Sequence, residues 1–154
     1  MENHMELCFD ALSVNESFAR MAVVAFMSEL DPTLEEIEDV RMAVSEAVTN
    51  AVIHGYNINQ EEKTSQEDVV DKEKVWVRCR YDGKNLEIVV EDKGIGIGDV
   101  HKAMEPFYTT DGGHERAGMG FAFMNAFMDE LVVDSKLNEG TIVKMKKEIG
   151  RGMC

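Results

Sequence analysis

The stretch from Thr33 to Gly55 limits most what this chain can fold into. Ile37, Val40, Val44, Val48 and Ala51 recur at the spacing of one face of an α-helix, so that face must meet a core. Thr33 with Glu36 forms a capping-box pattern at the start, after the stop-and-start signal Asp31-Pro32-Thr33. Gly55 can cap the other end. The spacing therefore predicts a helix over 34–54. Its far side carries Glu46, Asn50 and His54 at i, i+4 and i+8, which places them on one stripe. Ala43 and Ala47 flank that stripe and are expected to leave open space above it.

Alternation supplies the second layer. Val75 to Tyr81 and Leu86 to Asp92 alternate apolar and polar residues on either side of Asp82-Gly83, the signature of a β-hairpin. Met5 to Phe9, Leu131 to Ser135 and Thr141 to Lys147 read as further strands, the last two joined by Asn138-Glu139-Gly140. Ser13 and Glu16 form another capping-box pattern, predicting a helix to about Leu30. Its stripe of Val14, Phe18, Met21, Ala22, Ala25 and Phe26, widened by Val23 and Met27, is broad enough to face both a core and a second surface. A short helix to about Met104 and another over 118–128 complete the set, separated by a loop over 105–117. This order predicts an α+β fold: a mixed or antiparallel sheet with helices stacked on one face.

The 154 residues suit one domain, and 44% apolar with 30% charged residues is a globular balance. Asn57 to Lys74 is polar and acid-rich and is expected to be a mobile insertion. No apolar run is long enough to span a bilayer, and the N-terminus lacks a secretory pattern, so the expected location is cytoplasmic. Cys8, Cys79 and Cys154 have no metal-ligand spacing and read as reduced thiols, the first two packed as small hydrophobes in strands. A net charge of −14 disfavours direct nucleic-acid binding and suits a partner with a basic face.

Three short motifs carry chemistry. Glu46 and Asn50, one helical turn apart, pair a carboxylate that could act as a base with a neutral oxygen suited to Mg²⁺. Asp92-Lys93-Gly94-Ile95-Gly96 ends a strand in a carboxylate that could accept a hydrogen bond from an adenine amine, with glycines that permit close approach. Arg116-Ala117-Gly118-Met119-Gly120 opens a helix, where backbone amides favour phosphate and Arg116 adds positive charge. No P-loop, dinucleotide fingerprint or kinase signature set is present.

In order, Glu46-Ala-Val-Thr-Asn50-Ala-Val-Ile-His54, Asp92-Lys-Gly94-Ile-Gly96 and Gly118-Met-Gly120 resemble the N, G1 and G2 boxes of the GHKL ATPases, the superfamily of gyrases, Hsp90 chaperones and histidine kinases. Glu105-Pro-Phe-Tyr-Thr109-Thr110 is similar to the stretch before their ATP lid. The runs Asn15-Glu-Ser-Phe-Ala-Arg20, Leu30-Asp-Pro-Thr33 and Glu115-Arg-Ala-Gly-Met-Gly-Phe121 resemble the anti-sigma F factors of spore-forming bacteria, and the likeness covers nearly the whole chain outside 57–74 and the last residues. The anti-sigma B-type stress-response kinases are the near alternative.

The resemblance implies a two-layer GHKL (Bergerat) sandwich with an ATP lid, a homodimer, and use of ATP with Mg²⁺. It implies a serine kinase that holds a sporulation sigma factor inactive and phosphorylates an anti-anti-sigma factor. By the same resemblance Glu46 is the general base and Asn50 holds Mg²⁺. Asp92 binds the adenine amine, with Gly94 and Gly96 beside it and His54 next to the nucleotide. Thr109, Thr110, Arg116, Gly118, Met119 and Gly120 meet the phosphates, while Glu16 and Arg20, expected to be exposed, contact the sigma factor. The chain departs from the family in the longer 57–74 segment, in the lid sequence Asp111-Gly-Gly-His114 and in its short tail. An ATP-gated sequestering module without kinase turnover stays open beside the kinase. A fragment of a histidine kinase or topoisomerase is disfavoured, because no residue precedes Met1 to carry a phospho-accepting histidine.

Overall fold

The computed structural model describes residues 1–55, 73–104 and 120–150, and the side chains of His54, Gly55 and His101 lie outside the described set. Five strands, β1 (Glu2–Asp10), β2 (Lys74–Asp82), β3 (Asn85–Asp92), β4 (Glu130–Lys136) and β5 (Gly140–Glu148), form one sheet in the order β1-β2-β3-β5-β4. Every neighbouring pair is antiparallel, which resolves the expected mixed or antiparallel sheet. β1 is longer than its alternation predicted because it pairs with β2 along its whole length, from Glu2↔Asp82 to Asp10↔Lys74.

The alternation fixes which face is buried. Val77, Cys79 and Tyr81 of β2, Leu86, Ile88 and Val90 of β3, and Val143 and Met145 of β5 point into the core. The opposite face is held by charge pairing across strands: Arg78 donates to Glu6 at 3.0 Å and to Glu91 at 2.8 Å. Cys8 belongs to that outer face and is exposed, contrary to its expected packing, because Leu7 and Phe9 take the inward positions of β1.

The helices are α1 (Val14–Met27), α2 (Leu34–Asn50), α3 (Val100–Ala103) and α4 (Gly120–Phe127). α2 packs between α1 and α4, so it is covered on more than its one apolar face. Ala43 and Ala47, expected to border open space, are buried as a result. α1 turns Ala19, Val23 and Met27 inward and leaves Val14, Phe18 and Met21 at 73%, 55% and 68% exposure. The broad stripe thus divides into a core face and an apolar outer face, as its width suggested.

The capping box at Thr33 forms as predicted: the Thr33 hydroxyl accepts from the Glu36 amide at 3.1 Å, and Glu36 accepts from the Thr33 amide at 2.8 Å. Glu36 also accepts from the Gly150 amide at 2.9 Å, tying the start of α2 to the chain beyond β5. Thr33→Ala should cost about 1 kcal/mol in chemical denaturation. An unchanged midpoint would show that Glu36 and Gly150 alone hold the helix start. The second expected box does not form. Ser13 has helical dihedrals and makes no side-chain cap, and the Glu16 carboxylate reaches across to α2 instead, where the Ser45 hydroxyl donates to it. No helix among the described residues is long and apolar enough to cross a membrane. The segment predicted to be an acidic insertion lies outside the described residues except for Glu73 and Lys74.

Candidate functional site

Asp92 is the last member of the inward row Leu86, Ile88, Val90 on β3, so the sheet pattern carries a carboxylate to the rim of the core. Its cross-strand partner on β5 is Thr141, and Thr141 is paired in turn with Ser135 on β4. Directly opposed residues share a sheet face, so the three side chains form a polar row at one end of the buried face. Asp92 and Thr141 are 5% and 7% exposed. Burial pushes the Asp92 carboxyl up to about 6, against the opposing pull of backbone hydrogen bonds from Gly94 and Thr141. Two backbone amides do not use all the acceptor sites of a carboxylate, and the lone pairs left over on so buried a group suit an amine-bearing ligand.

The glycine segment after β3 is folded onto this row. The Gly94 amide donates to Asp92 Oδ1 at 2.9 Å and the Ile97 amide to Ser135 Oγ at 2.7 Å. Asn138 donates its amide to the Ile95 carbonyl at 2.7 Å. Gly96 has φ +72°, and a β-carbon there would lie 2.0 Å from the Lys136 carbonyl oxygen. Its lack of a side chain is therefore needed for packing on the β4–β5 turn as well as for any approach by a ligand. Gly140 is needed for the same kind of reason: at φ +100° a β-carbon would lie 2.2 Å from the Asp92 carbonyl oxygen.

A second group comes from the helices. Glu46 on α2 is 7% exposed, buried rather than open as its stripe suggested. Asn50, one turn on, sits against the first residue of α4: a β-carbon on Gly120 would be 2.7 Å from Asn50 Nδ2. Gly120 thus leaves the space that the Asn50 carboxamide fills at the start of that helix. After Asn50 the chain widens into a π-helical turn (Ala51–Gly55) that packs on β3 and β5. The α-helical spacing that joined His54 to the stripe therefore ends at Asn50, and wide turns of this kind recur at functional sites.

Glu16 and Arg20 lie on α1, with Arg20 Nη1 3.6 Å from Glu16 Oε1. They are partly buried rather than exposed, because Glu16 is engaged by Ser45. The side chain of His54 and the whole of Thr109, Thr110, Arg116, Gly118 and Met119 lie outside the described residues. Ser135 and Thr141 were not singled out from the sequence. The one signal was the alternation that puts Thr141 inward, and it acquires meaning only once β5 is known to lie between β3 and β4.

Residues 10–147 match the histidine kinase-like ATPase domain family. The chain is 51% identical to an anti-sigma F factor of Clostridium novyi, covering 96% of this chain and 95% of that one. It is 52% identical to an anti-sigma F factor of Clostridium acetobutylicum with the same coverage. The chain belongs to the anti-sigma F factor group of the histidine kinase-like ATPases. A solved structure of the RsbU and RsbW domains of a Mycobacterium tuberculosis protein shares the fold of this anti-sigma F-type chain, with a TM-score of 0.61 at 18% identity over 96% of this chain and 32% of that one. A histidine kinase domain from Erythrobacter litoralis gives 0.51 at 22% identity, over 76% of this chain and 46% of the other. An antiparallel sheet with helices on one face is thus common to this chain and these neighbours.

Proposed function

We propose that this chain is an ATP-dependent anti-sigma factor that binds and inhibits a sporulation sigma factor of the sigma F type and phosphorylates a serine of its anti-anti-sigma factor. The observation that carries this reading is the near-full-length likeness to anti-sigma F factors, at about half identity. The site supports it. Asp92 receives the adenine amine at the buried end of β3, with Gly94 and Gly96 beside it. Asn50, at the end of α2 and beside the start of α4, meets the phosphate end together with Gly120. His54, Thr109, Thr110, Arg116, Gly118 and Met119 complete the nucleotide site.

Among the described residues no three His, Cys, Asp or Glu side chains gather as a metal cage. The donor set still fits Mg²⁺, which needs only one or two protein oxygens beside nucleotide phosphates and water. Asn50 would hold it, and the ion would neutralise phosphate charge. Glu46 takes the proton of the attacking serine hydroxyl. Positioning and electrostatics supply most of the remaining acceleration.

Sigma-factor contact is assigned to Glu16 and Arg20. Two copies associate as a homodimer, which the exposed Val14, Phe18 and Met21 support as an apolar surface wanting cover. The protein works in the cytoplasm as a single domain, with 57–74 as an insertion. Size-exclusion chromatography of the purified protein with a sigma F-type factor tests the regulatory half. A joint peak is expected with Mg-ATP, weakened by Arg20→Ala, and separate peaks under every nucleotide condition would refute it.

A further inference from the structure

The Ser135 hydroxyl makes three contacts: the Ile97 amide at 2.7 Å, the Gly140 carbonyl at 3.0 Å and Thr141 Oγ1 at 2.7 Å. A serine hydroxyl has one hydrogen and two lone pairs. A carbonyl only accepts, so the Ser135 hydrogen goes to Gly140. An amide only donates, so Ile97 fills one lone pair. The remaining contact then has one polarity: Thr141 donates its hydroxyl hydrogen to the second lone pair of Ser135. Thr141 is left with lone pairs alone, beside the Asp92 carboxylate on the same face of the sheet.

We propose that Ser135 is a specificity-determining positioning residue: by holding the Thr141 hydrogen it leaves acceptors only at the Asp92–Thr141 end of the site, which selects a purine bearing an exocyclic amine over one bearing a carbonyl. This rests on the adenine-nucleotide reading above. A carbonyl oxygen placed there finds no hydrogen to accept. With Ser135 removed, the Thr141 hydroxyl is free to turn and donate to it.

The test compares the affinities of Mg-ATP and Mg-inosine triphosphate, which carries a carbonyl in place of the amine, at about pH 8. The wild-type protein should prefer ATP. Ser135→Ala should narrow the ATP-to-inosine preference by roughly tenfold, the scale of one hydrogen bond gained, and Ser135→Thr, which keeps the hydroxyl, should retain it. A merely structural serine would weaken both nucleotides alike, so an unchanged ratio in Ser135→Ala overturns the inference. Should that variant not fold, Thr141→Val, close in shape, must narrow the ratio in its place, and an unchanged ratio there is equally fatal. Equal wild-type affinity for the two nucleotides overturns this inference and the placement of an amine on Asp92, and leaves nucleotide binding itself standing. Wild-type binding of neither overturns the nucleotide reading and this inference with it.

Discussion

Glu46→Gln should bind Mg-ATP as the wild-type protein does and transfer its γ-phosphate to a partner serine roughly 10²–10⁴-fold more slowly, the usual contribution of a positioned base. Glu46 is a buried acidic side chain on α2, the helix that packs between α1 and α4. Glutamine has the same shape and keeps hydrogen-bonding capacity, so the fold should persist and the loss should fall on the chemical step. Single-turnover transfer, read beside the thermal midpoint and the ATP affinity, separates these effects. Transfer at the wild-type rate would remove Glu46 from the role of base. Loss of ATP binding would make it a binding residue instead.

Asp92→Asn should weaken ATP by roughly 30- to 100-fold, the scale of a hydrogen bond to a buried charged group. It should also abolish a pH dependence. The wild-type carboxyl lies at about 6, above its unfolded value of 3.8, because burial disfavours the charge. A raised pKa contributes stability that is fully present below the unfolded value and lost as pH rises through about 6. This group alone should therefore cost the unliganded protein on the order of 3 kcal/mol between about pH 4 and pH 7. Ligand binding runs the other way. An amine donates best to the ionised carboxylate, so wild-type ATP affinity should fall as pH drops below about 6, with proton release on binding near that pH. Asp92→Asn should show neither slope. A wild-type affinity that is flat from about pH 5 to pH 8 would contradict the placement of an amine on Asp92.

Much of this architecture is written locally in the chain. The helical spacing after Thr33 and the alternation on either side of Asp82-Gly83 depend on near neighbours, and they gave α2 and the β2–β3 hairpin close to their observed bounds. Asp92 could be seen in the same way, as the acidic end of an apolar row. What could not be seen depends on distant partners. Ser13 and Glu16 have the spacing of a capping box, but Glu16 bonds to Ser45, 29 residues away. Ala43 and Ala47 suggested open space only because sequence does not reveal that α1 and α4 flank α2. The π-helical turn after Asn50 leaves no trace in the periodicity, so the stripe was extended to His54. Gly96 reads in the sequence as a glycine that permits close approach by a ligand, but what excludes a side chain there is the Lys136 carbonyl, 40 residues on. The row Ser135, Thr141, Asp92 exists only through the strand order β3-β5-β4.

The most direct measurement mixes the purified protein with Mg-ATP labelled at the γ-phosphate and an anti-anti-sigma factor of the sporulation type. Label is predicted on a serine of that partner, in wild-type protein and not in Glu46→Gln. Firm ATP binding with no transfer to the partner would contradict the kinase and leave a nucleotide-gated sequestering protein in its place.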